Sequence, residues 1–206
     1  MPKNITRREL FSRTGAYGGS AIIALQFPRA LDAAERSTDR LVLSATEWQT
    51  VEAITARIIP TDEDPGAMEA GCVNFIDKAL ANEDEALRAQ YEAGVLGIDT
   101  VSQTRFKKSF VDLNVDEQDT VLASLESGVA TGWPTGPVGS EQFFSTVRNH
   151  TVFGFLADPK YGGNRAYVGW RVLGYPGSRH RSGGYTVEQM RGEADIVTSW
   201  GGKLPR

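Results

Sequence analysis

Few side chains in this chain are equipped for chemistry. Among its 206 residues only His150 and His180 carry an imidazole, and only Cys72 carries a thiol. His150 stands at a helical position beside Phe153 and Gly154, which reads as a hydrogen-bonded packing residue rather than a general base. His180 lies between Arg179 and Arg181 in a polar stretch, a surface or interface setting. A lone cysteine allows no intrachain disulfide, no Cys-x-x-Cys-His haem attachment and no thiolate-held iron–sulfur cluster, so Cys72 reads as a small buried hydrophobe. The acidic run Asp62-Glu63-Asp64 invites a calcium reading, but its spacing is not that of an EF-hand loop, and acids ahead of a helix meet the helix dipole favourably. No Gly-x-Gly-x-x-Gly, Walker A, His-Glu-x-x-His or paired-cysteine pattern occurs. The expectation is a chain with no catalytic, cofactor-binding or metal-ligating residue, whose redox chemistry, if any, is supplied from elsewhere.

The N-terminus carries an address instead. Thr6-Arg7-Arg8-Glu9-Leu10-Phe11 sets two adjacent arginines before an apolar pair, and a Gly- and Ala-rich run from Gly15 to Phe27 follows. Arg7, Arg8, Leu10 and Phe11 thus form a twin-arginine export pattern. The run is shorter than the roughly 20 apolar residues that cross a bilayer, so no permanent anchor is expected from it. Leu31-Asp32-Ala33 is a passable cleavage site, which places a signal segment at 1–33 and the mature domain at 34–206. The twin-arginine route carries folded proteins, typically loaded with a cofactor. A chain without a cofactor motif that uses this route implies a cofactor-bearing partner that travels with it into the periplasm, where any membrane association comes through the complex.

Charge is unevenly spread. The formal net charge is −4, and the segment from Thr61 to Glu126 holds 15 acidic against 5 basic side chains. From Asp158 to Arg206 the balance reverses to 8 basic and 4 acidic. So acidic a body excludes nucleic acid as a partner, and the basic tail suits an acidic protein surface, lipid headgroups or plain solvent.

Helical patterns fill the body. Ser44-Ala45-Thr46-Glu47 reads as a capping box ahead of Trp48, Val51, Ile54 and Ile58, and Pro60 stops that helix. A polar turn at 61–66 leads to a short helix from Gly71 to Leu80, with Val73, Ile76 and Leu80 on its apolar side. A longer helical stretch runs from Glu83 towards Phe110, with Leu87, Tyr91, Leu96, Ile98 and Val101 as core candidates and Gly94 and Gly97 as weak points. Asn114-Val115-Asp116-Glu117 repeats the capping logic before Val121, Leu122 and Leu125, with Gly128 as the stop. After a Pro/Gly loop at 131–139, Ser140 is expected to cap a helix carrying Phe143, Phe144, Val147, Thr151 and Phe155. No sustained period-2 pattern appears, so the fold class is all-α: one helical domain with long ordered Gly/Pro/aromatic loops.

Those loops concentrate near the end. Asp158-Pro159-Lys160-Tyr161-Gly162-Gly163-Asn164-Arg165, then Val168-Gly169-Trp170 and Gly174-Tyr175-Pro176-Gly177, are interrupted too often for a normal helix. Glycine-rich backbone interleaved with large aromatics suits close approach to another surface, and Tyr, Trp and Arg dominate interface energies. Tyr161, Gly162, Gly163, Asn164, Arg165, Trp170 and Tyr175 are therefore candidate partner-interface residues. The same aromatics would equally serve to roof the chain's own core.

Ala56-Arg57-Ile58-Ile59-Pro60-Thr61-Asp62, Pro65-Gly66-Ala67, Glu69-Ala70-Gly71 with Phe75-Ile76-Asp77, Phe143-Phe144, Val147-Arg148 and the stretch from Asp158 to Gly177 together resemble the gluconate 2-dehydrogenase small-subunit family. The resemblance implies a largely helical accessory subunit that owns the export signal its flavoprotein lacks. It implies a large FAD-binding dehydrogenase subunit of the GMC type as partner, commonly a c-type cytochrome carrying haem c, and the twin-arginine translocase on the way out. It implies no catalytic residue here, since flavin and substrate pocket belong to the large subunit. The reading that follows is a non-catalytic subunit of a periplasmic sugar, glycoside or sugar-acid dehydrogenase. An exported stand-alone oxidoreductase and a periplasmic interaction module without a redox partner are the alternatives.

Overall fold

The computed structural model describes residues 40–177, 186–191, 193–197 and 203–204. Arg7, Arg8, Leu10, Phe11, the 1–33 boundary and the Arg179-His180-Arg181 stretch lie outside these residues. The described residues divide into two compact units on either side of the Leu173–Gly174 junction.

The first unit is helical. Helix α1 (Ala45–Ile58) begins with the expected capping box: Glu47 N–H donates to Ser44 Oγ at 3.3 Å and Ser44 N–H to Glu47 Oε2 at 2.8 Å. A one-turn helix α2 (Ala67–Ala70) runs through left-handed Gly71 into α3 (Cys72–Ala81). Helix α4 (Arg88–Phe106) follows, then α5 (Val115–Glu126), whose Asn114 and Glu117 form the second capping box at 3.0 Å in both directions. Helix α6 (Ser140–Leu156) packs against every helix from α1 to α5 and against the six-residue α7 (Val168–Leu173). Val51, Ile54, Ile76, Leu80, Ile98, Phe110, Val121, Leu125, Phe143 and Val147 form its core.

Several details depart from the periodicity reading. Leu96 is 66 % exposed, because the buried face of α4 runs through Tyr91, Gly94, Val95, Ile98, Val101 and Ser102 and leaves Leu96 on the opposite side. The helix is also shorter than the span to Phe110, ending at left-handed Lys107 while the Asp99 carboxylate takes the Phe110 N–H at 2.8 Å. Gly94 and Gly97 are close-packing points rather than breaks: a Cβ on Gly94 would overlap the Phe143 ring, and one on Gly97 would stand 2.8 Å from the Trp133 indole. Ser140 is the first residue of α6 and not its cap, which is Gly139 without a side-chain hydrogen bond. Val168–Leu173 is helical in spite of Gly169.

In the second unit, Val187–Met190 form a one-turn helix α8 capped by Thr186 and Gln189. Strands β1 (Ile196–Val197) and β2 (Lys203–Leu204) pair antiparallel, so the all-α description holds for the first unit and this minimal ladder is added to it. Among the described residues, no helix is long and apolar enough to cross a membrane.

Asp77 positions the start of the first unit. It is 2 % exposed, and its carboxylate accepts N–H bonds from Leu41 at 2.6 Å, Val42 at 3.0 Å and Leu43 at 2.8 Å. A buried carboxylate is tolerable only when donors replace its hydration, and three main-chain donors do so here. Asp77→Asn exchanges an acceptor for a donor that faces N–H groups. It should lower the unfolding free energy by about 2 kcal/mol or more, visible as a lower urea midpoint; an unchanged midpoint would contradict this role.

Candidate functional site

An α-helix leaves its last carbonyls without intrahelical partners, and a buried end must find donors elsewhere. In α6 they come from the glycine-rich segment that follows. Asp158 Oδ1 accepts from Lys160 N–H at 3.1 Å and opens a 3-10 turn at Pro159–Tyr161, which left-handed Gly162 closes. The chain then doubles back so closely that a Cβ on Gly163 would overlap Gly154 O, and a Cβ on Gly169 would overlap Phe155 O. Asn164, fully buried and left-handed at φ 45°, donates its N–H to Gly154 O at 2.6 Å and its Nδ2 to Ala157 O at 2.8 Å. Its Oδ1 accepts from Gly169 N–H at 2.8 Å, and its carbonyl accepts from Tyr167 N–H at 2.8 Å. Trp170, 5 % exposed, adds Nε1–H to Leu156 O at 2.7 Å.

This geometry distributes the candidate interface residues. Gly163, Asn164 and Trp170 are turned into the chain's own interior, and Gly162 and Arg165 are half-buried. Tyr161 is 44 % exposed, with Lys160 Nζ 4.6 Å from its ring centroid. Tyr167 leans on Trp170, ring centroids 5.1 Å apart, and its phenol pKa is raised by burial and by the Asp158 charge. Tyr175 is half-buried and belongs to the second unit.

A second constellation was not legible in the sequence. Tyr91 Oη and His150 Nδ1 are 2.8 Å apart with rings only 10° from parallel, and His150 Nε2 lies 3.4 Å from Asp84 Oδ2. Phe75 meets the imidazole edge-on and Phe143 meets Tyr91 edge-on. Burial lowers the His150 pKa more than the Asp84 charge raises it, while burial and then Asp84 push the Tyr91 phenol well up. The neutral imidazole thus accepts from the Tyr91 hydroxyl at Nδ1 and points Nε2–H at Asp84. Tyr91 had an apolar role in the helical pattern, and only its hydroxyl, with no period of its own, reaches across to α6. Cys72 is fully buried, its thiol pKa driven far up by desolvation and its Sγ 3.5 Å from Thr151 O. Among the described residues no set of three His, Cys, Asp or Glu side chains is placed to hold a metal ion.

The sign of the His150 effect is fixed by its direction. A histidine held below its ordinary value of 6.5 resists protonation in the folded chain while the unfolded chain takes up the proton, so stability is full above 6.5 and is lost as pH falls through the lowered folded value. His150→Gln should remove that part of the slope between about pH 7.5 and about pH 5. Urea midpoints across this range that fall equally in both proteins would contradict it.

Comparison with curated proteins and with solved structures gives no match. A family model described as gluconate 2-dehydrogenase subunit 3 matches residues 45–177, from the first residue of α1 through the Asn164 cap and α7 to Gly177. The chain belongs to the gluconate 2-dehydrogenase subunit 3 family.

Proposed function

We propose that this chain is the non-catalytic small subunit of an exported FAD-dependent dehydrogenase acting on a sugar, glycoside or sugar acid, and that it serves the flavoprotein as export carrier, folding partner and structural clamp. The observation that carries the reading is the family match over residues 45–177, whose name is that of one subunit of a dehydrogenase. The Arg7-Arg8 pattern at the N-terminus supports the carrier role.

The internal chemistry is consistent with a partner that holds the cofactor. A flavin's pyrophosphate is cradled by glycines whose missing side chains open space for the ligand. Gly163 and Gly169 do not fit that task, because the space over them is filled by the backbone of α6. Asn164 and the Trp170 indole are committed to the same helix end. On this reading FAD belongs to the large subunit, and haem c, where a cytochrome takes part, to that cytochrome.

Export tests the reading. Arg7→Lys with Arg8→Lys keeps the charge but removes the guanidinium forks, which ammonium groups do not replace in specific recognition. Both this chain and a folded, flavin-loaded large subunit should then stay in the cytoplasm, with dehydrogenase activity absent from the periplasmic and membrane fractions. A large subunit that still reaches the periplasm would remove the carrier role.

A further inference from the structure

Several arginines among the described residues of the first unit are spoken for. Arg57 grips Asp119 through two bonds of 2.7 and 2.9 Å, Arg148 reaches Glu126 at 3.1 Å, and Arg88 donates to Leu80 O at 2.7 Å beside Glu85. Arg165 differs. It is half-buried, yet among the described residues its guanidinium has neither a hydrogen-bond acceptor nor an ion-pair partner. Partial withdrawal of a cation from water without a counter-charge costs free energy, so its position calls for an acceptor.

A second donor lies beside the same glycine, Gly71. Arg165 Nη2 and Asn74 Nδ2 lie 3.0 and 3.3 Å from the point where a Cβ on Gly71 would stand, and the Asn74 amide is likewise without an acceptor among the described residues. Gly71 has φ 66° and no side chain, which lets both donors approach its backbone closely. The turn that carries Arg165 is held under strain: Asn164, Ala166 and Tyr167 are left-handed at φ 45°, 51° and 59°. For alanine and tyrosine this conformation is costly, and such strain persists where the surroundings over-determine it, as the Asn164 bonds do here. The backbone that carries Arg165 is thereby set in advance of any ligand, which reduces the entropy lost on binding.

Resting on the reading of this chain as a dehydrogenase-complex subunit, we propose that Arg165 and Asn74 form the docking point for a carboxylate side chain of the partner dehydrogenase subunit. Two N–H-bearing groups beside the same glycine match the two oxygens of a carboxylate. The surroundings favour a protein over a free acid. Helix α2 and the 159–161 turn both pack against the Arg165 turn, and they carry Met68 and Tyr161, 43 % and 44 % exposed, while Leu173 at the end of α7 is 44 % exposed. A small acid would leave these apolar side chains uncovered; a protein surface covers them and sets Arg, Tyr and Met where interfaces are enriched in them. The stretch from Asp158 to Leu173 carries Lys160, Arg165 and Arg171 against Asp158 alone, so the complementary surface is acidic.

The test is the dissociation constant between the full chain and the dehydrogenase subunit that co-purifies with it, measured at several salt concentrations, with urea unfolding of each variant as the folding control. Arg165→Gln and Asn74→Ala should each weaken binding, the first by about tenfold or more, and Arg165→Glu should weaken it further. Arg165→Gln should also flatten the salt dependence, which distinguishes a lost ion pair from a general loosening. Should Arg165→Glu not fold, the neutral Arg165→Gln and the remote-donor variant Asn74→Ala carry the decision. A wild-type chain that binds, with Arg165 and Asn74 variants of unchanged affinity and salt slope, overturns the docking point and leaves the accessory-subunit reading standing. A wild-type chain that binds no dehydrogenase subunit overturns both.

Discussion

The carbonyl end of α6 is the constraint on which this structure turns. Leu156 and Ala157 present oxygens that the helix itself does not satisfy, and burying them unpaired would cost several times what an ordinary hydrogen bond contributes. Asn164 and Trp170 supply the donors, and they can do so only because Gly163 and Gly169 let two backbones meet without an intervening side chain. The same helix end is approached from its other side by α3, where a Cβ on Gly154 would stand 3.2 Å from Cys72 Cα and 3.1 Å from Phe75 Cβ. The motif that looks most like a ligand loop is thus first of all a cap.

That use of polar groups bears on function. Where the first unit buries polar side chains, most are committed to backbone: Asp77 to the 41–43 segment, Gln118 to Phe110 O, Thr151 to Val147 O, Asn164 to α6. Among the described residues, a side-chain relay of half-exposed Asp84 with His150 and buried Tyr91 ties the start of α4 to α6 and holds a neutral imidazole against a protonated phenol. A rigid body built this way suits a subunit that presents a fixed surface to a partner, which is the proposed role. On the proposed docking point, the strained turn at 164–167 has a purpose beyond capping, since it sets the backbone at half-buried Arg165.

Much of the helical frame was legible because its signals are local. Both capping boxes, the stop at Pro60 and the stripes of α1, α3 and α5 depend on neighbours within a few residues, and each appears where the spacing puts it. Leu96 lies on the exposed face, since a leucine's presence in a helix does not by itself say which face is covered. Ser140 has a capping residue's chemistry, but the backbone turns one residue earlier, at Gly139. The site was harder. Composition left Trp170 equally suited to an interface or to the interior, and only the Leu156 carbonyl 14 residues away decides its place. The reach of Asp77 to residues 41–43 and of Tyr91 to His150 is longer still, and no periodicity encodes it.

The central claim is that this chain contributes binding and delivery while a partner contributes the redox chemistry. Its most direct test is to purify the mature chain alone and again with a dehydrogenase subunit that co-purifies with it, and to record visible absorbance and turnover with an artificial electron acceptor for both. The chain alone should be colourless and inactive, and the assembled pair should show a flavin spectrum and oxidise its sugar substrate. A stoichiometric flavin or haem band, or turnover, in the chain by itself would contradict the account.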